Sequence, residues 1–156
     1  MFPPSLDITV RFALPAEWIW QALVDERIRR QWWPELEFEP KVGARVSAEA
    51  VRPGKKKPRR TRGTVTEVSA PEELRFDWTT KRGDFSTAVR IRVSQQKHKA
   101  KLRVVETGFP RGDYAEVLVA ECRAGWREQF GDLSDYLDDT KNLALLERRV
   151  ERHPAF

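Results

Sequence analysis

Leu6, Ile8, Val10 and Phe12 alternate with Asp7, Thr9 and Arg11, the period-two pattern of a strand with one buried face. Helical spacing takes over after Pro15, a residue that a first turn tolerates because its missing N–H is not needed there. Ile19, Ala22 and Leu23 recur at that spacing within Ala16 to Val24. Asp25 offers an oxygen to the free amides of a second short helix, Glu26 to Gln31, which Trp32-Trp33-Pro34 ends. From Val42 to Thr107 the alternation returns between turn residues. It predicts strands at Ala44 to Val51, Gly63 to Ser69, Glu73 to Thr80, Phe85 to Ser94 and Lys99 to Thr107. Phe85, Thr87, Val89, Ile91 and Val93 share one face of the fourth of these, opposite Ser86, Arg90 and Arg92. Lys81-Arg82-Gly83-Asp84 and Gln95-Gln96-Lys97-His98 have the make-up of hairpin connections, so the sheet is an antiparallel meander.

Beyond the strands, Tyr114 to Asp138 predicts one long helix, roughly 37 Å at 1.5 Å per residue. Leu118, Cys122, Trp126, Phe130, Leu133 and Leu137 form its apolar stripe, flanked by Glu121, Arg123, Arg127, Glu128 and Asp132. A shorter amphipathic stretch follows from Lys141 to Arg152, to be packed on the body or on a second subunit. The expectation is an α+β domain over residues 1–139, with about six strands, two short helices after the first strand and a long C-terminal helix. Residues 140–156 are expected to form a partly helical tail.

Composition sets the class. A chain of 156 residues with six Trp and eight Phe has enough apolar bulk for its own core and too many aromatics for disorder. One cysteine, Cys122, excludes an intramolecular disulfide and any cysteine-based zinc cluster, which suits a reducing cytoplasm. No basic leader or apolar run of membrane-spanning length is present, so neither secretion nor membrane insertion is expected. The net charge of +5 is concentrated in one segment: Arg52, Lys55, Lys56, Lys57, Arg59, Arg60 and Arg62 lie together without an acid, which leaves 22 basic against 24 acidic residues elsewhere. The body of the domain is therefore not a basic protein.

Several words resemble one family in combination. They are Pro15-Ala16-Glu17-Trp18-Ile19-Trp20-Gln21-Ala22-Leu23, Gln31-Trp32-Trp33-Pro34, Gly63-Thr64-Val65-Thr66-Glu67-Val68 leading to Pro71-Glu72-Glu73-Leu74, Gly108-Phe109-Pro110 and Gly125-Trp126. With the order of elements from Leu6 to about Leu137, the chain resembles the activators of heat-shock-protein ATPase homologues, within the START-like, polyketide-cyclase and pollen-allergen (SRPBCC) superfamily. The resemblance implies a helix-grip fold, a curved antiparallel sheet wrapped around the long helix, enclosing a largely apolar cavity in a bacterial-type stress protein. It does not supply an activity, because one fold carries many sites. The basic segment Pro53 to Arg62 and the tail after Asp139 depart from the family pattern.

Large rings with few polar anchors are what such a cavity presents to a ligand. Trp33, Trp78, Phe85 and Trp126, with Val89, Ile91, Leu118 and Cys122, are the expected ligand-binding residues, each with plain core packing as its alternative. Trp32 reads as a core plug. A cyclase or hydrolase needs a positioned acid or base; His98 and His153 read as solvated, Asp77 and Glu106 lie in strands with the face of Asp77 left open by alternation, and no acid–base pair emerges. Cys122 has no base beside it in the pattern and reads as a small core residue. No catalytic residue, metal or cofactor is assigned.

The basic segment, free of interleaved aromatics, reads either as a solvated hairpin or as an electrostatic docking surface for an acidic protein; nucleic acid is not favoured. The first functional reading is non-enzymatic binding of a small hydrophobic or aromatic ligand between sheet and long helix. Second comes a co-chaperone-like protein-binding module, and last an enzyme. Monomer and homodimer both fit.

Overall fold

The computed structural model describes residues 3–50, 59–80 and 85–152. The expected connection at Lys81 to Asp84, His153, and Arg52, Lys55, Lys56 and Lys57 of the basic segment lie outside the described residues.

Among the described residues, seven strands form one antiparallel sheet: β1 (Ser5–Phe12), β2 (Leu36–Glu37), β3 (Arg45–Ala50), β4 (Arg59–Ser69), β5 (Glu73–Thr80), β6 (Ser86–Gln96) and β7 (Lys99–Thr107). Their spatial order is β1-β7-β6-β5-β4-β3-β2. Four helices accompany them among the described residues: α1 (Ala16–Val24), α2 (Glu26–Trp32), α3 (Ala115–Leu137) and α4 (Thr140–Arg152). β5 and β7 have the expected bounds. The seventh strand is β2, too short at two residues to show alternation. β4 starts at Arg59 rather than Gly63, since the basic, outwardly polar residues at its start carry no apolar period but still pair with β3.

Register aligns the inward side chains in rows across the sheet. Ile8, Val104, Ile91 and Leu74 are cross-strand neighbours, and Leu6, Glu106, Val89, Phe76 and Val65 make the adjoining row. All are buried, so the period-two faces of five strands merge into one floor, apolar but for Glu106. α3 packs beside β1 and α2, and α1 against β6 and β7. The α3 side chains Val119, Trp126, Phe130, Leu133, Tyr136 and Leu137 close the core. This is the helix-grip architecture, and its single core lies between the concave sheet and the helices.

Two buried polar residues hold the helical end together. Arg29 in α2, 1% exposed, donates from Nη1 to the Leu23 carbonyl at 2.9 Å, from Nη2 to Phe38 at 3.0 Å and from Nε to Leu36 at 3.4 Å. Its guanidinium lies 4.1 Å from the centre of the Phe38 ring. Burial pushes its pKa down to about 10, so it remains charged at neutral pH. Asp25 caps α2 by accepting from the Arg27 amide at 3.0 Å, and also accepts from Gln21 Nε2 at 2.7 Å and from Arg149 Nε at 2.7 Å and Nη2 at 3.2 Å. One carboxylate thus joins α1, α2 and α4, while Leu146 of α4 is fully buried on the body.

Burial alone would raise the Asp25 pKa, but the hydrogen bonds from Arg149 and Gln21, the Arg149 charge and the Ile28 amide outweigh it and hold it below its ordinary 3.8. A carboxyl depressed by folding stabilises the native state above its unfolded pKa and loses that contribution as pH falls through the folded value. Asp25→Asn is therefore expected to lower stability by about 2 kcal/mol at pH 7. The gap to wild type should close only below about pH 3.8. Urea denaturation at pH 7, 5 and 3 measures it; an equal gap at all three would mean that the Asp25 charge contributes nothing.

Candidate functional site

β7 places Ala100, Leu102, Val104 and Glu106 on one face by simple alternation. Glu106 is therefore carried inward with the apolar residues, and only 3% of it is exposed. A carboxyl group in such a place needs donors. Three reach it: Trp78 Nε1 of β5 donates to Oε2 at 3.0 Å, Thr87 Oγ1 of β6 to Oε2 at 2.5 Å, and Trp126 Nε1 of α3 to Oε1 at 2.9 Å. The site thus unites three strands and the long helix around one acid.

An aromatic cluster surrounds that acid. Trp78 and Trp126 stack with ring centroids 5.8 Å apart and planes at 28°. Trp33 meets Trp126 edge-on at 5.5 Å, Trp32 lies 5.8 Å from Trp33, and Phe130 lies 5.8 Å from Trp126. Phe76 meets Trp78 edge-on at 4.9 Å. Such offset and edge contacts fix each ring and keep both indole N–H groups aimed at Glu106.

Burial within the cluster is graded. Val89, Ile91, Trp33 and Trp126 are buried, whereas Trp78, Phe85, Leu118 and Cys122 are half-buried. Of the half-buried four, Trp78 lies near the end of β5, Phe85 immediately precedes β6, and Leu118 and Cys122 lie in the first turns of α3. Phe85 also packs near Phe109, centroids 6.3 Å apart. The turn to Phe109 requires Gly108, whose φ is +93° and where a Cβ would stand 3.0 Å from the Ser86 carbonyl oxygen.

Of the eight residues expected to bind a ligand, Trp78 and Trp126 touch Glu106 directly, Trp33 is one ring away, and Val89 is the cross-strand neighbour of Glu106. Ile91 lies one row deeper in the sheet. Trp32, read as a core plug, donates from Nε1 to the Ala22 carbonyl at 3.0 Å. Asp77 is exposed while Leu74, Phe76 and Trp78 face inward, and His98 is exposed in the β6–β7 turn. Of the basic segment, Arg60 and Arg62 are exposed at the start of β4, and Arg60 pairs with Glu49.

Glu106 and Thr87 are the two polar members that sequence reasoning did not place in the site. The signal for Glu106 was present: it has the same parity as Ala100, Leu102 and Val104. The partners of the acid are two indoles and a hydroxyl, so the described site contains no second acid or base in contact with Glu106.

The comparisons agree with the fold. The family model described as activator of Hsp90 ATPase homolog 1-like protein matches residues 13–138. Among solved structures, protein MLL2253 from Mesorhizobium loti is 21% identical, with 87% of this chain and 98% of that one aligned at a TM-score of 0.73. CalU16 from Micromonospora echinospora is 18% identical over 95% of this chain and 84% of that one, with a TM-score of 0.68. PFC0360w from Plasmodium falciparum, described as an HSP90 activator, is 19% identical over 78% of this chain and 86% of that one, with a TM-score of 0.59. At these identities the likeness is one of fold. A search of curated proteins gave no match.

Proposed function

Because the chain belongs to the family of activator of Hsp90 ATPase homolog 1-like proteins, we propose that it is a helix-grip binding protein for a small aromatic molecule carrying a hydrogen-bond donor. The ligand lies between β5, β6 and the first half of α3, against Trp78, Phe85, Leu118 and Cys122. The observation that carries this reading is Glu106, a buried acid held by three donors beneath a half-buried aromatic surface. The two oxygens of a carboxyl group offer about four acceptor positions. Three are occupied, and the fourth is the polar anchor for the ligand. Burial of one aromatic ring supplies most of the affinity and the anchor supplies orientation.

A test uses 2-naphthol, a fused ring with one O–H donor, titrated into 15N-labelled protein. The indole N–H resonances of Trp78 and Trp126 are expected to shift together. Glu106→Gln should weaken binding about tenfold, the worth of one good hydrogen bond, and Trp78→Ala should weaken it more. Unmoved indole resonances, with a bare mass for the native protein in the mass spectrometer, would reject the reading.

The family description favours a second reading, a co-chaperone-like contact with an acidic protein partner through the exposed Arg60 and Arg62 of β4. A salt-sensitive complex that Arg60→Ala and Arg62→Ala abolish, and that Glu106→Gln leaves intact, would support it.

A further inference from the structure

A groove lies at the helical end, lined by residues of α2 and α4. At about 100° per residue, α4 divides into three sectors. Leu143, Leu146 and Val150 turn toward the body, Glu147 and Glu151 fall together on a solvent face, and Leu145, Arg148, Arg149 and Arg152 form the third sector. Arg27, in the first turn of α2, faces that third sector. These five residues line a groove of about 370 Å³.

Among the described residues, the lining holds four guanidinium groups and no acid. Asp25 balances one of them from beneath: its carboxylate, with a side chain only 3% exposed, takes Nε and Nη2 of Arg149. Among the described residues, Arg27, Arg148 and Arg152 form no ion pair. The acids of α4 point elsewhere, and Glu26 of α2 is engaged by Arg30 at 2.7 Å. Like charges gathered at this spacing repel, and an anion with several charged oxygens removes that cost. Guanidinium groups suit it better than ammonium groups, since each offers a planar fork of donors to a phosphate.

We propose that this groove between α2 and α4 binds a small molecule bearing two or more linked phosphate groups. Arg149, fixed in place by Asp25, sets the floor; Arg27, Arg148 and Arg152 close around the phosphates. Leu145 meets whatever short apolar part the molecule carries. The site is separate from the Glu106 cluster and stands whether or not an aromatic ligand binds there.

The experiment is isothermal titration of the full chain with inorganic tripolyphosphate at 50 and 200 mM NaCl, alongside inorganic sulfate. Binding is expected for tripolyphosphate, much weaker binding for sulfate, and a loss of affinity with salt as counter-ions compete. Arg148→Ala with Arg152→Ala should weaken tripolyphosphate binding at least tenfold, and both positions are exposed, so an unchanged melting temperature is the check on folding. Glu106→Gln should leave the titration unchanged.

The basic segment is the competing site. A triple variant, Lys55→Ala, Lys56→Ala and Lys57→Ala, should bind tripolyphosphate as the wild type does. Loss of binding in that variant with none in the groove variant would overturn the proposal, as would the absence of any heat from wild type at 50 mM NaCl. Equal affinity for sulfate and tripolyphosphate would overturn it too, since a site for linked phosphates must discriminate. Binding of the wild type to anionic lipid vesicles without binding of tripolyphosphate would assign the groove to a membrane surface instead.

Discussion

Gly63→Ala is expected to destabilise the protein by about 3 kcal/mol or more, the upper part of the range for overpacking. A Cβ built on Gly63 falls 1.6 Å from the Asp77 carbonyl oxygen and 2.6 Å from both the Asp77 carbonyl carbon and the Trp78 Cα. Those are backbone atoms of the neighbouring strand, so no side-chain rotation relieves the collision. β4 and β5 must separate where Gly63 faces Trp78. Moving Trp78 breaks its bond to Glu106 and its stack on Trp126, which joins this glycine to the candidate site. The informative control is Gly125→Ala in α3, where an added Cβ meets nothing within 4 Å; a helix interior should gain up to about 1 kcal/mol from that change. Urea midpoints of the two variants should move in opposite directions. A wild-type midpoint for Gly63→Ala would mean that the strands do not approach as closely as described.

Arg29→Met carries the other large expected effect, a loss of about 4 kcal/mol. Methionine fills much of the same volume but leaves the Leu23, Leu36 and Phe38 carbonyls without the donors that reach them from one guanidinium. Each buried acceptor so abandoned costs about 1–3 kcal/mol, less whatever water recovers. Arg29→Lys should fall between the two, because an ammonium keeps the charge but has no planar fork to span three carbonyls. Denaturation midpoints in the order wild type, Lys, Met are the expected outcome; equal midpoints for Lys and Met would show that the charge alone, without the fork, is worth nothing here.

Arg29 also shows where sequence reasoning stops. Nothing in Glu26-Arg27-Ile28-Arg29-Arg30 distinguishes the buried arginine from its exposed neighbours Arg27 and Arg30, since a seven-residue helix is too short for its period to rank them. By contrast, the strands with a clean alternation were legible almost to the residue, as at Glu73–Thr80 and Lys99–Thr107. Alternation reports which face is buried and not what is buried with it. Glu106 has the parity of a core residue, but a carboxyl group invites the assumption that it faces solvent. Only the meeting of β5, β6, β7 and α3 shows that two indoles and a hydroxyl converge on it. Those four segments are separated in sequence by up to 48 residues between Trp78 and Trp126, and no local pattern relates them. The groove on α4 was hidden for the same reason: its arginines are evident in the sequence, whereas Arg27 joins them only through the packing of α4 on α1 and α3.

The strand order has a consequence for encounters between copies of the chain. A sheet that does not close on itself has two borders with unpaired backbone groups, and these are where proteins stick to one another. Here one border is β2, two residues long, which offers almost no ladder to extend. The other is β1, which carries the charged Asp7 and Arg11 on its outward face and runs beside α3. Each end of the sheet is thus blunted by a different means, brevity at one and charge with a flanking helix at the other, so polymerisation by strand addition is opposed at both. A concentrated solution of the folded chain should accordingly resist fibre growth for as long as α3 stays in place against β1.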